Sequence, residues 1–184
     1  HPAVEGIAPR DHAKSTALTT VYSLAEMLFR TSDYEILVGS TEDGAAEQLG
    51  NITEELTENE DLIREFGVKK FLRTSTTDII VEMQDGHRFR ILARGAEQRI
   101  RGRLWKGKRP NLLVCDDMED DEQVENVDRR RKFRIWFFRA AKQALSKSGK
   151  IRVHGTILHE DSLLSRLAKC PKCATMTTAS GIGP

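Results

Sequence analysis

The sequence predicts an α/β protein in which a mostly parallel central sheet is flanked by helices on both faces, with a β-hairpin insertion. Three observations carry this. Short apolar runs alternate with helix-period segments along most of the chain, the pattern of strands joined by crossover helices. Asp85-Gly86 stands between two strand-like runs, and Asp-Gly supplies the positive φ angles of a type I′ hairpin turn. Leu112-Leu113-Val114-Cys115 delivers Asp116 and Asp117 to its C-terminal end, the edge at which parallel α/β sheets hold ligands.

The elements follow in order. Val4 to Ile7 is a stub of strand. It leads through Ala8-Pro9-Arg10-Asp11-His12-Ala13-Lys14-Ser15-Thr16 into a helical pattern with Leu18, Val21, Leu24, Ala25 and Leu28 on one face. Residues 35–39 form a short apolar strand, and a largely helical stretch runs from Thr41 to about Phe66, capped by Ser40 or Thr41. Strand character returns from Asp78 to Ala93, and residues 94–110 read as a loop. Residues 112–115 are a buried strand, and one long amphipathic helix is expected from about Val124 to Ser146. Ile151 to His154 is the next strand, and Asp161 to Leu167 a short helix. Residues 1–168 are taken as one domain and 169–184 as a C-terminal tail or linker.

At 184 residues the chain has the size of one ordinary domain, large enough to bury a core without staples. Its 39% hydrophobic and 31% charged composition suits a soluble globular protein, and no apolar run reaches the roughly 18 residues a membrane span needs. Three cysteines are too few for a disulfide framework and point to a reducing setting, the cytoplasm. The chain opens at His1-Pro2 with neither an initiator Met nor a signal-peptide pattern, as a piece of a longer protein would. Net charge is only +1, but the charges are clustered, and the clusters carry the information.

The segment between the first strand and the first helix has the form of a phosphate loop, in which backbone N–H groups and a helix N-terminus face a triphosphate. Ala8, Pro9, Arg10, Asp11, His12, Ala13, Lys14, Ser15 and Thr16 are the expected nucleotide contacts. Lys14 would neutralise β- and γ-phosphate charge, and the Ser15 hydroxyl would hold Mg2+. Alanines, Ala8 and Ala13, stand where the G-x-x-x-x-G-K-[ST] pattern has glycine. Alanine is tolerated wherever φ stays negative, as expected at position 13, which opens a helix. The plainer alternative is a loop capped by Ser15. Downstream, Asp116 would help hold Mg2+ through water, and Asp117 would polarise the attacking water, with Glu119 as a backup base. Asp120, Asp121 and Glu122 read as a solvated acidic run favoured by a helix dipole. A further strand end, Val153-His154-Gly155-Thr156, offers Thr156 as a γ-phosphate sensor or, more plainly, a strand-to-helix turn.

Together, PRDHAKST, IRGRLWKGKRPNLLVCDDMED and VHGTILHEDSLL resemble the ATPase motifs of the large terminases of tailed bacteriophages. The similarity runs from about Ala8 to Leu167. The resemblance implies a P-loop NTPase fold of the additional-strand type. It also implies ATP hydrolysis, with ATP and Mg2+, driving double-stranded viral DNA into a procapsid. Lys14 and Ser15 then fall in the Walker A loop, Asp116 and Asp117 on the Walker B pair, and Gly155-Thr156 on the coupling motif. Arg10 matches an arginine inside the Walker A loop and would stabilise γ-phosphate charge. The family works as a homo-oligomeric ring, commonly a pentamer, on the portal protein of an empty capsid, with a small terminase subunit selecting the DNA. The expected setting is the host cytoplasm and, transiently, the procapsid portal vertex. A neighbour's arginine would complete each site, with Arg101 the first choice and Arg103 the second. Large terminases also carry a C-terminal nuclease domain, for which a chain ending at Pro184 is too short, and an adenine-binding region ahead of the first strand, which this sequence lacks. ATP hydrolysis without DNA cleavage is therefore expected.

Between Arg88 and Arg109 lie Arg88, Arg90, Arg94, Arg99, Arg101, Arg103, Lys106, Lys108 and Arg109, against one acidic residue, Glu97. Such a cluster would hold duplex phosphates without reading bases, or form a solvated face or a subunit interface. Arg129-Arg130-Arg131-Lys132 reads as helix-surface ion pairing. Cys170 and Cys173 form half of a conceivable zinc site, with His154 and His159 as the nearest other ligands, but one pair is not a site. Cys115 reads as a buried strand residue and His12 as loop packing. The alternative functions are a metal-dependent nuclease built on Asp116, Asp117, Glu119 and Asp120, and a nucleotide-binding domain with little turnover.

Overall fold

The computed structural model describes residues 3–7, 15–170 and 174–177. Its strands are β1 (Ala3–Ile7), β2 (Tyr34–Gly39), β3 (Val68–Ser75), β4 (Asp78–Met83), β5 (Arg88–Gly95), β6 (Leu112–Asp116), β7 (Lys150–Gly155) and β8 (Ala174–Thr177). They form one sheet in the order β3-β4-β5-β2-β6-β7-β1-β8. From β5 to β8 every neighbouring pair is parallel, while β3, β4 and β5 make an antiparallel meander at one edge. β7 lies between β1 and β6, which is the inserted strand that the additional-strand arrangement requires.

Alternation along the strands builds two cores. In β2, Ile36 and Val38 pack on one face and Leu37 on the other; in β6, Leu113 and Cys115 oppose Leu112 and Val114. The first face is covered by α1 (Tyr22–Leu28), which a π-helical stretch Ser15–Val21 precedes directly, and by α2 (Glu42–Glu58) and α3 (Glu60–Phe66). The second is covered by α5 (Val127–Trp136), a π-helical stretch Phe137–Ala141, α6 (Lys142–Ala144) and α7 (Leu163–Ala168), with α4 (Asp121–Glu125) leading in. Helices on both faces were expected, and this is why both faces of the central strands are apolar. Among the described residues no helix is long and apolar enough to cross a membrane.

Asparagine decided two boundaries that hydrophobic period does not reveal. The expected single helix from Val124 to Ser146 is broken at Asn126, whose Oδ1 accepts from the backbone N–H of Asp128 and Arg129 and so starts α5 afresh. Asn59 likewise divides the 41–66 stretch by accepting from Leu62 N–H. The Asp-Gly hairpin forms between β4 and β5, with Gly86 at φ +84°. It is continuous with the main sheet, because β5 also pairs with β2. Two strands have no counterpart in the sequence reading: β3, the outer edge of the meander, and β8, which pairs parallel with β1.

Glu26 of α1 anchors the helix to the start of β7. Its carboxylate accepts from Lys150 Nζ at 2.7 Å, Thr31 Oγ1 at 2.6 Å, Ser32 Oγ at 2.9 Å and the Tyr22 hydroxyl. Burial alone would raise its pKa, but these donors outweigh burial and bring it down to about 2. A carboxyl held low contributes stability above its ordinary value and loses it as pH falls toward the folded value. Glu26→Gln is therefore expected to cost ~2–3 kcal/mol at pH 7. It should also remove the loss of stability the parent shows on going from pH 4.5 toward 2. Urea unfolding at pH 7 and pH 3 reads both effects.

Candidate functional site

The site is built at the C-terminal ends of β1, β6 and β7. Register places Asp116 beside His154, and Gly155 beside Ile7, so the end of β1 and the carboxylate of β6 lie at one level, two strands apart. Ala8 to Lys14, which include Arg10 and six of the other expected nucleotide contacts, lie outside the described residues. Both flanks are fixed nonetheless. Ile7 ends beside Gly155, and Ser15 and Thr16 open the helix whose next turn returns to Asp116.

That return is made by Thr19. Its Oγ1 donates to Asp116 Oδ2 at 3.0 Å and lies 2.6 Å from His154 Nε2, which is 3.2 Å from Asp116 Oδ1. Thr19, His154 and Asp116 are all buried. Below them, Arg152 lies over the Tyr22 ring at 5.3 Å and Lys150 pairs with Glu26. Alternate residues of β7, 150, 152 and 154, thus grip successive turns of the helical segment from Ser15 to Leu28.

Asp117 is exposed and held in the left-handed region at φ +39°. Its N–H donates to His154 O at 3.1 Å, and its Oδ1 accepts from Thr156 N–H at 3.0 Å. A Cβ at position 155 would stand 2.8 Å from that Oδ1, so only glycine lets the second carboxylate lie against the end of β7. Asp116 and Asp117, adjacent in sequence, therefore point to different tasks. One is buried under the helix, and the other is tied across to Thr156.

The remaining carboxylates take structural duties. Glu119, the backup base in the sequence reading, uses both oxygens to accept from Leu163 and Leu164 N–H at 2.8 and 3.2 Å, capping α7. Burial raises its pKa, against the pull of those two N–H groups. Asp120 accepts from Gln123 N–H at 2.7 Å and caps α4, in line with the helix-start reading of the acidic run.

The basic cluster divides in two. Arg88 pairs with Glu82, Arg90 with Asp78, Arg94 with Glu42 and Lys108 with Asp33. Arg99, Arg101, Arg103, Lys106 and Arg109 have no carboxylate within ion-pair distance among the described residues. Arg101 and Arg109 line a cavity with Gln143, Leu145, Ser146 and Lys147. Ser146 N–H donates to Pro110 O, so this cationic group lies where β6 and β7 begin, one strand length from Asp116. Arg129 pairs with Glu122 as a helix-surface reading expects, whereas Arg130 is buried and turned to Val124 O and Asp161.

Both histidines suggested for zinc have one ring nitrogen engaged within the protein. His154 is committed to Thr19 and Asp116, and His159 Nδ1 accepts from Asp161 N–H. Cys173 lies outside the described residues, which contain no group of three or more His, Cys, Asp or Glu placed to hold a metal. Cys115 is fully buried, which pushes its thiol far up, as its strand reading expects. Thr19 and His154 were missed as site residues. A signal existed in the alternation of Lys150, Arg152 and His154 with Ile151 and Val153, facing a helix with polar residues at 19, 23 and 26.

No protein-family model matches the sequence, and no curated protein matches it. Among solved structures, the large terminase ATPase domain of Thermus phage P74-26 matches with a TM-score of 0.68 at 15% identity, over 97% of this chain and 76% of that one. The large terminase of a thermophilic bacteriophage in complex with ADP matches with a TM-score of 0.59 at 8% identity, over 97% of this chain and 40% of that one. At such identities the likeness is one of fold.

Proposed function

From a chain with the fold of large terminase ATPase domains, we propose an enzyme that hydrolyses ATP with Mg2+ and uses it to translocate double-stranded DNA into a viral procapsid. The observation that carries this reading is the convergence of Ile7, Gly155 and Asp116 at one strand edge, with the helix opened at Ser15 tied to Asp116 through Thr19. That edge is where, in this reading, a triphosphate meets both the N–H groups of the segment after Ile7 and the Asp116 carboxylate.

In this reading residues 1–168 form the motor domain, and the stretch 169–184, expected as a tail or linker, adds β8 to the edge of its sheet beside β1. The loop N–H groups from Ala8 to Ser15 cradle the phosphates, with Lys14 neutralising β- and γ-phosphate charge and Arg10 spreading the charge that develops on the γ-phosphate. Mg2+ needs only one or two carboxylates besides phosphate and water, and a single buried strand-end Asp116 beside a helix N-terminus suits it. Ser15 and Asp116 would hold it, and when bound it would neutralise charge on the transferred phosphoryl group. Asp117 orients the attacking water. Thr156, whose N–H rests on Asp117 Oδ1, carries the state of the site to the segment that follows.

Arg99, Arg101, Arg103, Lys106 and Arg109, which have no carboxylate within ion-pair distance among the described residues, support a contact with duplex phosphates. Arg101 sits at the far edge of the sheet from Asp116, which is consistent with an arginine that serves a neighbouring subunit of a ring. The ring in this reading is a pentamer on the portal protein, served by a small terminase subunit in the host cytoplasm. A nuclease reading requires Glu119 and Asp120 to join the two strand-end aspartates, whereas both cap helices instead. DNA-stimulated ATP hydrolysis tests the proposal: Lys14→Ala is expected to lose at least tenfold in rate, and equal rates for parent and variant would sink it.

A further inference from the structure

We propose that Thr19 and His154 are positioning residues that fix the Asp116 carboxylate toward the divalent cation of a nucleoside triphosphate. The inference deepens the nucleotide-site reading and rests on it.

Three side chains from three elements meet with little access to water: Thr19 is 0%, His154 3% and Asp116 6% exposed. A hydroxyl carries one proton. With that proton in the bond from Thr19 Oγ1 to Asp116 Oδ2, the 2.6 Å contact between Thr19 Oγ1 and His154 Nε2 needs a proton on Nε2. The same N–H faces Asp116 Oδ1 at 3.2 Å. Both contacts select the Nε2–H tautomer, in which the imidazole is a donor. Oδ2 of Asp116 then has a donor on the helix that begins at Ser15, and the imidazole from β7 stands against Oδ1 as a close electrostatic contact rather than a hydrogen bond.

A carboxylate held at Oδ2 by Thr19, with the imidazole of His154 packed against Oδ1, cannot rotate about its Cβ–Cγ bond without losing the Thr19 bond and the His154 contact. Its orientation is set before any ligand arrives, and partners that orient a ligating group in this way are commonly worth about 10–100-fold in metal affinity. His154 is itself braced through β7, because Arg152 and Lys150 hold Tyr22 and Glu26 of the same helix.

The test is Mg2+ titration of the binding of a fluorescent ATP analogue to the whole chain, with an EDTA control and thermal melts. Thr19→Val and His154→Leu remove the donors at nearly constant shape, and His154→Gln returns an N–H at about the reach of Nε2. Thr19→Val and His154→Leu are each expected to raise the Mg2+ requirement by about tenfold or more, with binding in EDTA unchanged. His154→Gln should recover to within about threefold of the parent. An unchanged Mg2+ requirement in Thr19→Val overturns the proposal, even where His154→Leu fails to fold. So does a His154→Gln protein as impaired and as thermally weakened as His154→Leu. A parent that binds the analogue without any dependence on Mg2+ defeats the site reading itself, and this inference with it.

Discussion

Asp117→Asn is expected to lower the rate of ATP hydrolysis by about 10²–10⁴-fold, the usual contribution of a positioned base, while nucleotide affinity stays near that of the parent. The variant isolates the charge. Asparagine tolerates the left-handed region as well as aspartate does, so the φ of +39° is kept. Its side-chain oxygen can still accept from Thr156 N–H, as Asp117 Oδ1 does at 3.0 Å. What disappears is the negative charge at an exposed strand end, beside the buried Asp116. Steady-state kinetics should therefore show kcat falling with KM nearly constant, the signature of a group used in the transition state. A kcat within about threefold of the parent would remove Asp117 from the mechanism.

The second large effect concerns pH. Glu35 lies in β2 between β5 and β6 and is fully buried. Ser23 Oγ donates to its Oε1 at 2.7 Å, and its Oε2 has no hydrogen-bond partner among the described residues. Burial pushes its carboxyl up to about 8, with the Ser23 bond pulling downward and Glu26 adding to the rise. In the folded protein Glu35 keeps a proton that the unfolded chain releases near 4.5. The stability linked to that proton is complete below 4.5 and is lost as pH rises toward and through 8. The slope is about 1.4 kcal/mol per pH unit within that window. Glu35→Gln, which has the shape of the neutral acid, should match the parent at pH 5 and exceed it at pH 9. Urea unfolding at both values decides the matter, and a parent as much more stable than the variant at pH 9 as at pH 5 would contradict the assignment.

Legibility differed by element for physical reasons. The buried parallel strands were plain in the sequence because each is a continuous apolar run, and β2, β6 and β7 appear within about a residue or two of their expected ends. The hairpin turn was plain because Asp-Gly has few other uses between two strands. β3 was not, since an edge strand exposed along most of its length carries little apolar pattern: its lysines and arginine pair with Glu82 and Asp78 instead. The breaks at Asn59 and Asn126 escaped because hydrophobic period continues across them while a single side-chain oxygen ends the helix.

The sequence by itself determined the fold class, the order of the elements and the delivery of Asp116 and Asp117 to a strand end, because these depend on local pattern and hydrophobic burial. Only the tertiary structure decided how those carboxylates divide their work. Thr19, His154 and Asp116 are separated by 97 and 135 positions along the chain, and only sheet order brings them within hydrogen-bond distance. The same applies to Glu119, which local pattern offers as a base and which the packing of α7 claims as a helix cap. Nor could composition separate the paired cations from those without a carboxylate partner among the described residues, since a charge is neutralised by whatever the fold sets beside it.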